Sequence, residues 1–215
     1  HRIITLQRRS LKAVTDIHER LIDGRGPKET GDFIAQLTAR LFERMEPVMT
    51  ELDEQTDIIE EVILDNPDPS ERQEIINIRK KAIILRRHIA PQKDVMTHLR
   101  LSDQTWLGDK NKRHIQESLD RVTRYVEDLD AIRERAQVIK DELTNALSDR
   151  LNKNLYILSV ISAIFLPLGF FTGLMGINIG GMPGVDHPDA FWIFSGILIV
   201  IVSLQILIFK FLKWF

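Results

Sequence analysis

The 215-residue chain reads as a mainly α membrane protein, and three features say so. First, Leu155–Met175 (21 residues) and Phe191–Phe209 (19 residues) carry no charge. At about 1.5 Å rise per residue, each is near the roughly 20 residues that cover a hydrocarbon core. Second, of 29 basic and 31 acidic residues only Asp186, Asp189, Lys210 and Lys213 lie beyond Lys153, so a charged aqueous part precedes an apolar one. Third, Asp109 to Leu166 runs 58 residues without glycine or proline. That is a helix on the order of 90 Å, with no stop signal before the first span.

The composition also excludes several classes. A net charge of −2 gives no electrostatic argument for nucleic acid as a partner. With no cysteine, disulfides and thiolate metal sites are out. There is no glycine-rich phosphate loop, nucleophile elbow or metalloprotease histidine pair, so no enzymatic activity and no cofactor are expected.

Taken in order, Arg2–Arg8 alternates Ile4 and Leu6 with Thr5 and Gln7 and is expected to be extended. Ser10 is a candidate cap for a helix from Leu11 to about Asp23, ended by Gly24. The chain begins at His1 rather than Met, without an apolar signal segment. Residues 1–30 are therefore expected to be the C-terminal edge of a truncated α/β domain. Asp32 is the expected N-cap of a long helix to about Asp65, striped by Phe33, Leu37, Leu41, Met45, Val48, Leu52, Ile59, Val62 and Ile63 and bent or broken near Pro47. Asn66-Pro67-Asp68-Pro69 reads as a tight turn with Asp68 capping. A second helix follows from about Ser70 to Leu101 through Ile75, Ile78, Ile83, Leu85, Ile89, Val95 and Leu99, kinked at Pro91, so that 31–108 forms an antiparallel helical hairpin. Ile115, Leu119, Val122, Val126, Leu129, Ala136, Ile139, Leu143 and Leu147 then mark a coiled-coil-like stalk over 109–154.

The spans are assigned to 155–175 and 191–209, with a loop over 176–190 and a tail over 210–215. Arg150 and Lys153 flank the first span, Lys210 and Lys213 flank the second, and the loop has no Lys or Arg. Both termini are therefore expected on the cytoplasmic side. Trp192 and Trp214 fit opposite interfacial belts.

The first span has more than an anchor needs. Asn152, Leu155, Ser159, Ser162, Leu166, Gly169 and Gly173 share one face; Ile157, Ile161, Ile164, Phe165 and Phe171 make a bulkier one. A small and polar stripe can pack helices in lipid, or line a narrow wet path if several copies surround an axis. After the span come Gly176-Ile177-Asn178 and then Met182-Pro183. By itself Gly-x-Asn is compatible with a simple helix C-cap.

Together, these features resemble the CorA-type metal-ion transporters, whose mark is a Gly-Met-Asn tripeptide closing the first of two C-terminal spans, followed by Met-Pro. Ile177 in place of Met, the Gly180-Gly181 pair and Gly184 where the magnesium branch has Glu are similar to the zinc-transporting (ZntB) branch. The resemblance implies a funnel-shaped homopentamer in a bacterial inner membrane. Five first spans would surround the pore, the second spans would face lipid, and the tripeptide would ring the outer mouth. The helix dipoles and Asn178 amide oxygens there would attract a cation and hold it through its hydrating water.

Zinc is the expected ion, with magnesium the alternative. The first span offers no Cys, His or carboxylate, so zinc would cross with much of its water retained. Leu155, Leu158 and Leu166 are candidate drying constrictions, and Asn152, Ser159 and Ser162 candidate polar rungs. Asp186, His187 and Asp189 in the loop form a candidate cation-attracting collar, or are solvated loop residues. The resemblance also implies proton coupling, for which the span has no side-chain relay, and places an acidic regulatory residue at Asp141. His18, His88, His98 and His114 are read as ordinary surface residues. A third reading is a non-conducting two-span coiled-coil anchor or signalling protein.

Overall fold

The computed structural model describes residues 3–8, 10–177, 184 and 187–211. The chain divides into two compact units, His1–Leu147 and Ser148–Phe215. All the regular structure is helical among the described residues: α1 (Lys12–Ile22), α2 (Thr30–Glu43), α3 (Glu46–Asp65), a 3-10 turn at Pro69–Glu71, α4 (Arg72–Leu101), α5 (Asp109–Met175) and α6 (Ala190–Phe211).

The N-terminal segment forms no strand over residues 3–8, contrary to the alternation there. Ile4 and Leu6 are both fully solvated, at 91% and 102% exposure. An alternating segment becomes a strand only where a partner strand takes its backbone hydrogen bonds, and none is present among the described residues. The α1 N-cap is Leu11, not Ser10, and no side chain caps it. Its C-terminus ends as the sequence indicates. Gly24 sits at φ +72°, Arg25 N–H donates to the Arg20 carbonyl at 2.8 Å and Gly24 N–H to that of Leu21 at 3.1 Å. This is the paired closure that a left-handed glycine permits.

The expected long helix is two helices. The break falls at Arg44-Met45, with Pro47 in the first turn of α3, where its missing N–H costs nothing. Glu29 rather than Asp32 is the N-cap of α2; Asp32 lies in its first turn. At the next turn Asp68 does cap, accepting the Ser70 N–H at 2.8 Å. α4 runs through Pro91 without interruption.

The core of this unit is a heptad seam. On α5 the buried positions are Ile115, Val122, Leu129, Ala136 and Leu143, with Ser118, Tyr125, Ile132 and Ile139 between them. On α2 and α3 they are Ala35, Thr38, Phe42, Met49, Leu52, Thr56, Ile59 and Ile63, so the register continues across the break. On α4 they are Ile75, Ile78, Ala82, Ile89 and Met96. These alternating three- and four-residue steps are those of coiled-coil packing. The stripe expected on α2–α4 was partly out of phase: Val48, Val62, Ile83 and Val95 are exposed. Thr56 is buried because its hydroxyl donates to the Leu52 carbonyl at 2.7 Å, which leaves an almost apolar surface.

Polar links join the layers. Tyr125 Oη donates to the Phe42 carbonyl at 3.2 Å, just ahead of the α2–α3 break, and burial pushes its phenol above the usual tyrosine value. Arg135 of α5 pairs with Asp57 at 2.6 Å, Asp53 at 3.4 Å and Glu60, all on α3. At the first corner Arg44 grips Asp16 through one guanidinium edge, Nε donating at 2.8 Å and Nη2 at 2.6 Å to the two carboxylate oxygens.

Candidate functional site

In the second unit, α6 and the C-terminal part of α5 belong to the two helices long and apolar enough to cross a membrane. The α5 residues shielded from solvent lie on one stripe: Val160, Ala163, Ile164, Pro167, Leu168 and Phe171, of which Val160 is the most buried. The matching stripe on α6 is Phe194, Leu198, Ile201, Val202, Gln205 and Phe209. A hydrogen bond from Gln205 Nε2 to the Ala163 carbonyl, 3.2 Å long, joins the two.

The sequence-predicted polar stripe lies elsewhere on the helix. At about 100° per residue, Asn152, Leu155, Ser159, Ser162, Leu166, Gly169 and Gly173 centre nearly opposite the stripe that α6 covers. All of them, and Leu158, are exposed within the single chain; Leu166 reaches 72%. A Cβ added at Gly169 or Gly173 would meet nothing within 4 Å, so packing against α6 does not require either to be small. Ser159 donates its hydroxyl to the Leu155 carbonyl at 2.8 Å, one turn back.

At the end of α5, Gly176 N–H bonds to the Thr172 carbonyl at 2.9 Å. Among the described glycines, Gly24 and Gly184 have positive φ and Gly176 does not. What favours glycine there is space: a Cβ would come within 3.1 Å of the Thr172 oxygen. Ile177 is half-exposed. Asn178, Met182, Pro183 and Asp186 lie outside the described residues, as do Lys213 and Trp214.

His187 and Asp189 are exposed at the start of α6. His187 Nδ1 accepts the Asp189 N–H at 3.2 Å, so this imidazole caps the helix entrance through one nitrogen. Asp141 is exposed on α5, holding Gln137 Nε2 at 2.9 Å from each carboxylate oxygen, with Lys140 at 3.7 Å. No group of three or more His, Cys, Asp or Glu suited to a metal occurs among the described residues.

Two residues were missed at the sequence level. Pro167 interrupts the first span and Gln205 is the one amide side chain in the second. Both were legible as exceptions in apolar runs, one a residue without an N–H and the other an amide, but only the structure pairs their surroundings.

A family model described as CorA-like Mg2+ transporter protein matches residues 1–210. The chain is 33% identical over 214 residues to the divalent cation transporter CmaX of Pseudomonas aeruginosa, covering 99% of this chain and 64% of that protein. It is 35% identical over 201 residues to the zinc transport protein ZntB of Pectobacterium atrosepticum, covering 94% and 61%. The chain thus spans under two thirds of the length of these relatives. Among solved structures, full-length CmaX superposes with a TM-score of 0.79 at 33% identity, covering 96% of this chain and 63% of that one. The CorA magnesium transporter of Methanocaldococcus jannaschii gives 0.78 at 17% identity, covering 94% and 65%, which speaks for the fold alone. Helix order, paired apolar helices and a family match over nearly the whole length agree: this chain belongs to the CorA-like Mg2+ transporter family.

Proposed function

We propose that this chain forms the membrane part and adjoining stalk of a divalent-cation transporter, with zinc as its principal ion. The observation that carries the reading is the small and polar stripe of α5, solvent-exposed and turned away from the face that α6 covers. A membrane helix whose partner already covers one face has no packing use for serines and glycines on another, unless further copies or water meet them there. In this reading five copies form a funnel-shaped homopentamer, with Asn152, Leu155, Leu158, Ser159, Ser162, Leu166, Gly169 and Gly173 along the axis. Gly176-Ile177-Asn178 rings the outer mouth, where Asn178 holds the ion through its water.

Both termini face the cytoplasm of a bacterial inner membrane. The partition is that of the sequence: a domain edge over 1–30, a helical hairpin over 31–108, a stalk over 109–154, spans over 155–175 and 191–209, an outer loop between them and a tail from 210. Asp186, His187 and Asp189 concentrate cations at the mouth. Asp141 is a regulatory candidate, although its carboxylate is engaged by Gln137.

Zinc is favoured by Ile177 in the tripeptide, by Gly184 after Met-Pro, and by similarity to a relative named as a zinc transport protein. Magnesium is the second reading, favoured by the description of the matching family model. Ion flux into proteoliposomes of the full-length protein, with and without a pH gradient, tests both. Zinc flux that responds to the gradient and falls at least about tenfold in Asn178→Ala is expected; a factor of ten corresponds to about 1.4 kcal/mol in the barrier. Magnesium flux indifferent to the gradient would move the assignment to the second reading. No flux of either ion from verified pentamers would leave the non-conducting anchor.

A further inference from the structure

Pro167 lies inside α5 with eight residues of helix still to follow. A proline there has no N–H to give the carbonyl four residues back. That carbonyl belongs to Ala163. In hydrocarbon no water is at hand to take its place, so it must find a donor in the protein. The donor present is Gln205 Nε2 of α6, at 3.2 Å. A carbonyl can only accept, so the amide nitrogen, not the oxygen, must face it. Val160 on α5 and Phe209 on α6, both buried, lie about one turn away on their helices, so the bond sits in the packed seam between the spans.

We infer that Gln205 is a positioning residue, supplying from α6 the hydrogen bond that Pro167 removes from α5 and so pinning the second span to the weak point of the first. Leu166 precedes that weak point and Gly169 follows it. The tilt of Leu168–Met175 relative to the helix before it is therefore set by a bond that α6 makes or releases. Ser159, Thr172 and Ser203, by contrast, all bond to carbonyls of their own helix. Gln205 instead bonds across to the other span.

The link to flux rests on the transport reading; the bond itself does not. The test is a cycle of four full-length proteins in liposomes: parent, Gln205→Leu, Pro167→Ala and the double variant. Each is scored for thermal unfolding midpoint and for zinc and magnesium flux. An alanine at 167 restores a main-chain N–H to Ala163, so Gln205 becomes dispensable. Gln205→Leu is expected to lower the midpoint by about 3 °C in the parent, to alter flux severalfold per assembled protein, and to do less than about a third of either in the Pro167→Ala background.

Equal shifts in the two backgrounds, or none in either, would overturn the proposal. If Gln205→Leu alone does not assemble, the double variant must; its failure to do so would overturn it as well. If no variant, the parent included, moves either ion, the transport reading fails while the midpoint cycle still decides the bond.

Discussion

Residues 115–143 and residues 155–175 belong to one helix, α5, and hide opposite chemistry. In the first stretch the hidden stripe is apolar and the open faces are charged: Leu129 is fully buried while Asp141 stands in solvent. In the second the open faces are apolar all round except for one small and polar stripe, and Ile157, Ile161 and Phe165 stand exposed. Water drives the first arrangement by expelling apolar surface. Lipid gives no such drive, so the second stretch is held by shape and by main-chain hydrogen bonds. One backbone conformation serves both, and the change of solvent is written only in the side chains.

The largest effect should separate the two stretches directly. Leu129→Ala leaves a cavity in the heptad seam and is expected to cost about 2–5 kcal/mol in urea unfolding of the full chain. Leu166→Asn is expected to change the same unfolding free energy by less than about 0.5 kcal/mol, while raising flux by wetting the narrow point of the proposed pore. If Leu166→Asn instead costs as much stability as Leu129→Ala, the comparison breaks: that face would be packed by other copies rather than open to ions.

A smaller change sharpens the picture within the first unit. Tyr125→Phe removes the donor to the Phe42 carbonyl but keeps the ring in the seam, for an expected loss of about 1 kcal/mol. Hydrogen exchange should rise first at the α2–α3 break; an increase confined to α5 would show that the hydroxyl does not brace it. The smallest effect is at the surface. The Arg44 guanidinium hydrogen-bonded to Asp16 holds that carboxyl below its usual value. A depressed folded value contributes stability above the unfolded value, near 3.8, and loses it as pH falls through the folded one. The parent should therefore exceed Asp16→Asn in stability near neutral pH, and the gap should close in strong acid. A gap unchanged by acid would assign the effect to packing.

Much of this was legible beforehand. Two uncharged runs, the Asp68 turn, the break near Pro47 and the α5 heptads follow from residue type and spacing. The stripe on α2–α4 was not, because those helices have apolar residues on more than one face. Ile83 and Val95 compete with Ala82 and Met96, and only packing into the shared core decides between them. Buried threonines mislead for a related reason: a hydroxyl bonded back to its own helix is polar in name only. The small and polar stripe on the first span was legible by spacing. Its relation to the α6-covered face was not, since that depends on which way α6 packs. Pro167 and Gln205 lie 38 positions apart, and nothing in their spacing joins them.

The back-bonded hydroxyl of Ser159 has a consequence for what could pass it. Its hydrogen is spent on the Leu155 carbonyl, so only oxygen lone pairs remain to face outward. Water around a cation turns its hydrogens away from the ion, and water around an anion turns them inward. A wall of lone pairs suits the first shell and leaves the second without donors, so on the proposed pore face this one intrahelical bond would favour hydrated cations without any charged residue.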